Sequence, residues 1–131
     1  MADIGEAIYS RLVADATVFG LVGTRVLPST PIDSVQRPYI TYHLVSMFPR
    51  PHAMGSDPAV VTDIYQFDLW ADKSEDGIKL DDAVMAALSG WHGTEAGVTV
   101  QVSFHRNRGI SYESDTKCHR RSIEYEISWE E

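Results

Sequence analysis

Residues capable of catalytic or metal chemistry are present in this sequence, but none stands in the spacing that such chemistry needs. The histidines His43, His52, His92, His105 and His119 form no HExxH and no HxxxH, and no CxxC accompanies them. Those patterns are what bring several ligands to one metal ion. The neighbours Cys118 and His119 fall on opposite faces of a strand, so they cannot serve as nucleophile and base. No GxSxG elbow presents a serine at a strand-to-helix turn. Asp81 and Asp82 are adjacent; on a helix they diverge by about 100°, poor geometry for a carboxylate dyad, and a solvated helix face is expected. Gly20, Gly23, Gly90, Gly93 and Gly97 match neither a phosphate loop nor a dinucleotide fingerprint and read as caps and turns. A protein without catalysis, cofactor or metal is expected.

Charge, by contrast, is patterned. The net charge of -8, from 11 Lys+Arg and 19 Asp+Glu, repels phosphate backbones at long range and disfavours sequence-reading of nucleic acid. It is compatible with the wall of a channel that DNA crosses without sticking. Five of the 11 basic residues, Arg106, Arg108, Lys117, Arg120 and Arg121, lie between positions 105 and 121. Three readings stay open for them: a nucleic-acid patch, ordinary surface-loop charge, or pairing with another subunit. Between Asp57 and Asp82, the acids Asp57, Asp63, Asp68, Asp72, Glu75, Asp76, Asp81 and Asp82 outnumber Lys73 and Lys79. A head-to-tail ring needs two different complementary surfaces on each copy, and opposite charge helps to orient them.

The elements that position these residues belong to one domain, 1–131, long enough to bury about two-thirds of its unfolded surface. Hydrophobic residues at 44% and charged residues at 23% indicate a folded soluble chain rather than a disordered or membrane protein. The first six residues show no basic region before an apolar run, and no apolar stretch reaches about 18 residues. Neither export nor membrane spanning is expected. The single cysteine, Cys118, cannot form an intrachain disulfide, which suits a reducing cytoplasm.

Asp3 is placed to cap a helix over residues 3–14, whose stripe is Ile4, Ala7, Ile8, Leu12 and Val13. Asp15 starts a short second turn through Val18, Phe19 and Leu21, which Gly20 and Gly23 then stop. A brief strand at 25–27 and an irregular connection at 28–38 follow. The β-branched and aromatic residues of 39–48 predict a strand, and the alternation of Tyr65, Phe67 and Leu69 predicts another over 60–71. The intervening segment, 49–58, is too long for a tight turn. Asp72 or Ser74 is placed to cap a helix with Ile78, Leu80, Val84, Ala87 and Leu88 inward and Gly90 as its stop. After a glycine-punctuated turn, Val98, Val100, Val102 and Phe104 alternate strictly with polar residues. The last strand buries Ile123, Tyr125, Ile127 and Trp129. The fold class is α+β: a mostly antiparallel mixed sheet of four to five strands with two main helices on one face, in the order α-(short α)-β-β-β-α-β-β. The other face is left for solvent or a partner.

Over nearly its whole length the chain resembles the tail completion, or tail terminator, family of long non-contractile-tailed phages. The resemblance rests on an opening helix followed by Ala14-Asp15-Ala16 and Leu21-Val22-Gly23-Thr24-Arg25-Val26, and on Arg37-Pro38-Tyr39-Ile40-Thr41-Tyr42. It continues through Tyr65-Gln66-Phe67-Asp68-Leu69-Trp70-Ala71, Ala86-Ala87-Leu88-Ser89-Gly90 and Gly97-Val98-Thr99-Val100 to His119-Arg120-Arg121-Ser122-Ile123-Glu124-Tyr125. It implies a virion protein, assembled in the bacterial cytoplasm, that forms a hexameric ring at the head-proximal end of the tail tube. Its partners would be its own copies, the major tail tube protein and a head-side connector or stopper, with DNA passing through the lumen. It implies no enzyme activity and no cofactor. Because the family carries no active-site motif, the candidate contact residues come from physics: Arg50, His52, Met54 and Asp57 in the long loop, and Arg106, Arg108, Arg120 and Arg121 in the basic segment. A head-side stopper or adaptor, or a small nucleic-acid-binding accessory protein, are the alternatives.

Overall fold

Helix α1 (Ile4–Ala14) forms where the sequence stripe predicts, burying Ile4, Ala7, Ile8 and Leu12. Asp3 stands at its N-cap, but the bonds it supplies are backbone ones: its carbonyl accepts from the N–H groups of Glu6 and Ala7, and its side chain caps nothing. The Asp15 carboxylate does cap α2 (Ala16–Val22), accepting from Thr17 and Val18 N–H at 3.0 Å each. Gly20 lies within that helix and Gly23, at φ +61°, ends it. In this computed structural model, residues 3–28, 36–48, 60–114 and 117–130 are described. Most of the 28–38 connection and the whole 49–58 loop therefore lie outside them.

The remaining elements are β1 (Val26–Pro28), β2 (Tyr39–Phe48), β3 (Val61–Ala71), α3 (Ser74–Leu88), β4 (Gly93–Glu95), β5 (Val98–Glu113) and β6 (Cys118–Glu130). They form one sheet in the order β1-β2-β3-β6-β5-β4. Only β1 with β2 is parallel; the other described pairings are antiparallel. The α+β expectation holds, with six strands instead of four to five. The additional edge strand, β4, was hidden in a stretch that reads as a glycine turn. It joins β5 through Ala96 and Gly97, both at positive φ, the geometry of a two-residue hairpin turn.

The helices cover one face. There Ile40, Phe67, Leu69, Ile123, Tyr125 and Ile127 of the sheet pack with Ile8, Leu12, Leu80, Val84 and Leu88 of the helices, all at most 0% exposed. Fully burying side chains of this size stabilises by about 1.5–3 kcal/mol each, which makes this contact the main source of stability. Helix α3 departs from its expected stripe. Lys73, not Asp72 or Ser74, holds the N-cap position, and Ile78 is exposed while Gly77 and Asp81 are buried.

Strand β5 departs most. Strict alternation puts Val102 and Phe104 in the core, but a register shift between Val100 and Val102 turns the strand over. One inserted residue sends the following side chains to the other face, until a second shift between His105 and Asn107 turns the strand back. Ser103 is 2% exposed on the helix side, whereas Phe104 is 45% exposed. Beyond His105 the chain does not become a loop, as expected of the basic segment; it continues as strand to Glu113, paired with β6 down to Cys118.

The two readings of Phe104 predict different energetics under urea denaturation. With the strand turned over, Phe104→Ser changes stability by no more than about 0.5 kcal/mol, while Phe67→Ala costs about 3–5 kcal/mol. A cost for Phe104→Ser comparable to that of Phe67→Ala would contradict the register.

Candidate functional site

The β5–β6 hairpin gathers the basic residues on adjacent strands and deals them to two faces. On the helix side, Asp81 of α3 is 1% exposed and accepts from both Arg108 and Arg121. Arg108 binds it through two nitrogens, at 2.9 and 3.1 Å, and Arg121 Nε binds at 2.8 Å. Two features of α3 allow this. Asp81 lies on the same stripe as Val84 and Leu88, which points its carboxylate at the sheet. Gly77, one turn earlier, leaves room for the Arg121 stem, since a Cβ there would meet Arg121 Cδ at 3.3 Å. The solvated face expected for Asp81 and Asp82 is therefore correct for Asp82 only; Asp82 is exposed.

On the open side of the sheet, Asp68 plays the corresponding part. It accepts from Ser122 Oγ at 2.6 Å and Gln66 Nε2 at 2.9 Å, and pairs with Arg120 at 3.2 Å. Arg120 also lies 5.1 Å from the centre of the Trp70 ring, which stacks on Tyr39 at 5.9 Å and donates its Nε1–H to Thr41. This arrangement holds the guanidinium flat by cation–π attraction. Arg106 reaches Glu126 at 3.6 Å and Glu124 at 3.9 Å. Each of the four arginines singled out in the sequence thus has a carboxylate in its own chain, and Arg106, at 39%, keeps the most exposed side chain. Arg50, His52, Met54 and Asp57 lie outside the described residues.

Sequence reasoning passed over Asp68 and Asp81 as partners. The signal for Asp81 was available, because helical spacing from Val84 and Leu88 marks it as inward-facing. Asp68 alternates on the polar face, where a buried acid looks like a solvated one.

No catalytic constellation emerges. Among the described residues no group of three or more His, Cys, Asp and Glu side chains could hold a metal ion. Cys118 is buried and the neighbouring His119 is only partly so, its ring centre 4.8 Å from that of Tyr112 and tilted to it by 55°. A recess of about 350 Å³ lies beside α1, lined by Asp3, Glu6, Tyr42, His43 and Tyr65 among others. Burial, followed by the nearby charges of Asp3 and Asp63, pushes the Tyr65 hydroxyl up to about 12, which keeps it neutral. Asp63 itself is raised by burial. One of its oxygens accepts from Trp129 Nε1 at 2.9 Å and the other has no partner among the described residues.

Two stability measurements follow. Asp81→Ala strands two guanidiniums against α3 and is expected to cost about 3–5 kcal/mol, the range for breaking a buried ion pair; a change within 0.5 kcal/mol, roughly that of a surface site, would show the pairing to be idle. Asp63 behaves oppositely. Its folded pKa lies above the ordinary 3.8, so the unfolded chain releases this proton first and the residue destabilises the fold as pH rises through that interval. Asp63→Asn is expected to raise the melting temperature at pH 7 and to leave it nearly unchanged at pH 3; the reverse order would overturn this assignment.

Comparison with known proteins accords with this absence of a reaction centre. The profile of the family described as tail completion protein gp17 matches residues 6–130. A chain in a solved structure titled as the virion of a native gene transfer agent particle shares the fold, with a TM-score of 0.72, 19% identity, and coverage of 95% of this chain and 92% of that one. A second solved chain, with 14% identity and a TM-score of 0.53, covers 78% of this chain and 77% of its own length. No curated protein matches the sequence. With the profile spanning all but the ends of the sequence, the chain belongs to the tail completion protein gp17 family, and is a structural, non-enzymatic component of the virion tail.

Proposed function

We propose that this protein closes into a hexameric ring at the head-proximal end of the tail tube, ends tube growth there, and offers its outer surface to the head-side connector. The observation that carries this reading is the family match over residues 6–130. Geometry supports it in three ways. The helices take one face of the sheet and leave the other to bear ordered polar groups, so a large surface is free to be an interface. No metal cluster competes with an assembly role among the described residues. The net charge of -8 suits a lumen that DNA crosses without being held.

In this reading Arg50, His52, Met54 and Asp57 reach the tube protein, and Arg106, Arg108, Arg120 and Arg121 shape the contact between neighbouring subunits. Arg106 meets the adjacent copy directly. The other three act by holding the hairpin in place.

Deleting the gene tests the reading. Tails of unregulated length that fail to join heads are the expected result, restored by the wild-type gene in trans. Tails of normal length that join heads normally would contradict it. Normal tail length with failed joining would replace it with a head-side stopper or adaptor.

A further inference from the structure

The sheet ends in two strand edges that the described part of the chain leaves open. On β2, strand β1 covers the outer edge only as far as Tyr42. From His43 to Phe48 no described residue pairs with that side. On β5, strand β4 covers the outer edge to Val100, and Gly90 N–H bonds to the Ser103 carbonyl at 2.9 Å. From His105 to Glu113 no described residue pairs with it. Each edge therefore presents a row of backbone donors and acceptors, six residues or about 20 Å long on β2 and nine residues on β5.

Each edge carries one bulge, between Leu44 and Ser46 on β2 and between His105 and Asn107 on β5, but neither carries the proline or lysine that most directly blocks such a row. His43 to Phe48 contains no charged residue and no proline, and His105 to Glu113 contains no proline and no lysine. The two arginines of the β5 edge have carboxylates within the chain, Arg108 in Asp81 and Arg106 in Glu124 and Glu126, with Arg106 still 39% exposed. Both edges expose apolar side chains, Leu44, Val45 and Met47 on β2, the last at 54%, and Ile110 and Tyr112 on β5, the former at 66%, the latter two beside the exposed Arg106, Asn107, Arg108 and Ser111. Together these apolar residues are half of the ten exposed large hydrophobics among the described residues, concentrated on two short stretches.

The two edges stand on opposite sides of the sheet, with β3 and β6 between them. They cannot meet within one chain, and they differ from each other. A closed ring is built from such a pair of unlike surfaces. We propose that neighbouring subunits join by strand addition, with the β2 edge of one copy (His43 to Phe48) hydrogen-bonded to the β5 edge of the next (His105 to Glu113), so that the sheets run on from subunit to subunit. This inference rests on the ring reading above and names the contact that closes it. Main-chain bonds supply the pairing, and the exposed apolar side chains fix its position along the strands.

Complementation between two edge variants tests it. Val45→Lys/Met47→Lys blocks the β2 edge, and Ile110→Lys/Tyr112→Lys blocks the β5 edge. Assembly is followed by native mass spectrometry and electron microscopy, alone and on purified tail tubes, with circular dichroism confirming that each variant is folded. Each variant alone is expected to need at least ~10-fold more protein than wild type to assemble. Mixed, they are expected to stop at a 1:1 dimer, joined through the one intact edge that each retains. Phe19→Lys/Ile78→Lys, exposed on the helices, is expected to assemble as wild type does. Folded edge variants that still close rings, or that give no dimer on mixing, would overturn the strand pairing while leaving the ring itself intact. Wild type that stays monomeric on tubes would remove both.

Discussion

The position of the β5–β6 hairpin depends on one buried carboxylate. Asp81 is sealed from solvent and takes three hydrogen bonds from two arginines, one on each strand of the hairpin. A lone buried charge is costly; Arg108 engages both carboxylate oxygens and Arg121 adds a second bond to Oδ2. The arrangement is therefore favourable only with α3, β5 and β6 all in place. Nonpolar burial could hold α3 to the sheet in several registers, whereas a bidentate pair permits one. The hairpin's edge, and all that it presents outward, inherits that precision.

A second carboxylate, Asp68, does the same on the open face, where Ser122, Gln66 and Arg120 converge on it. Between them, these two acids use three of the arginines that looked free in the sequence. The acidic and basic stretches are complementary, and much of that complementarity is satisfied within the chain. What remains for a partner is different in kind: Arg106, an ordered polar face, and two strand edges rich in apolar side chains. This favours assembly by backbone pairing over assembly by charge, and it leaves little unpaired arginine charge on the hairpin to hold DNA.

Much of the fold was legible because most elements obey a local period. The stripe of α1, the Asp15 cap, β2, and the alternating faces of β3 and β6 all sit where spacing puts them. The misplaced features are those in which a single residue or a distant partner decides. Nothing about Gln101 marks the extra residue that turns β5 over, and Val102 and Phe104 look like core residues until the register is known. Ile78 continues the apolar stripe of α3 in sequence, yet the helix turns Asp81 inward because arginines 27 and 40 positions away receive it. The basic run reads as a loop because its hydrophobics are few, and it is strand because β6 pairs with it along its length. Of the candidate site, residue types were legible and partners were not. The family was legible from the order of its pieces, which the match over residues 6–130 bears out.

In the proposed function this structural tail protein acts by geometry, as a ring at one end of the tube. Cryo-electron microscopy of intact particles, with density for this chain identified by a bound tag-specific antibody fragment, tests that most directly. One layer of six copies between the last ring of the tail tube and the head connector is expected. Density along the tube, at the distal tip, or as a single copy at the neck would contradict it.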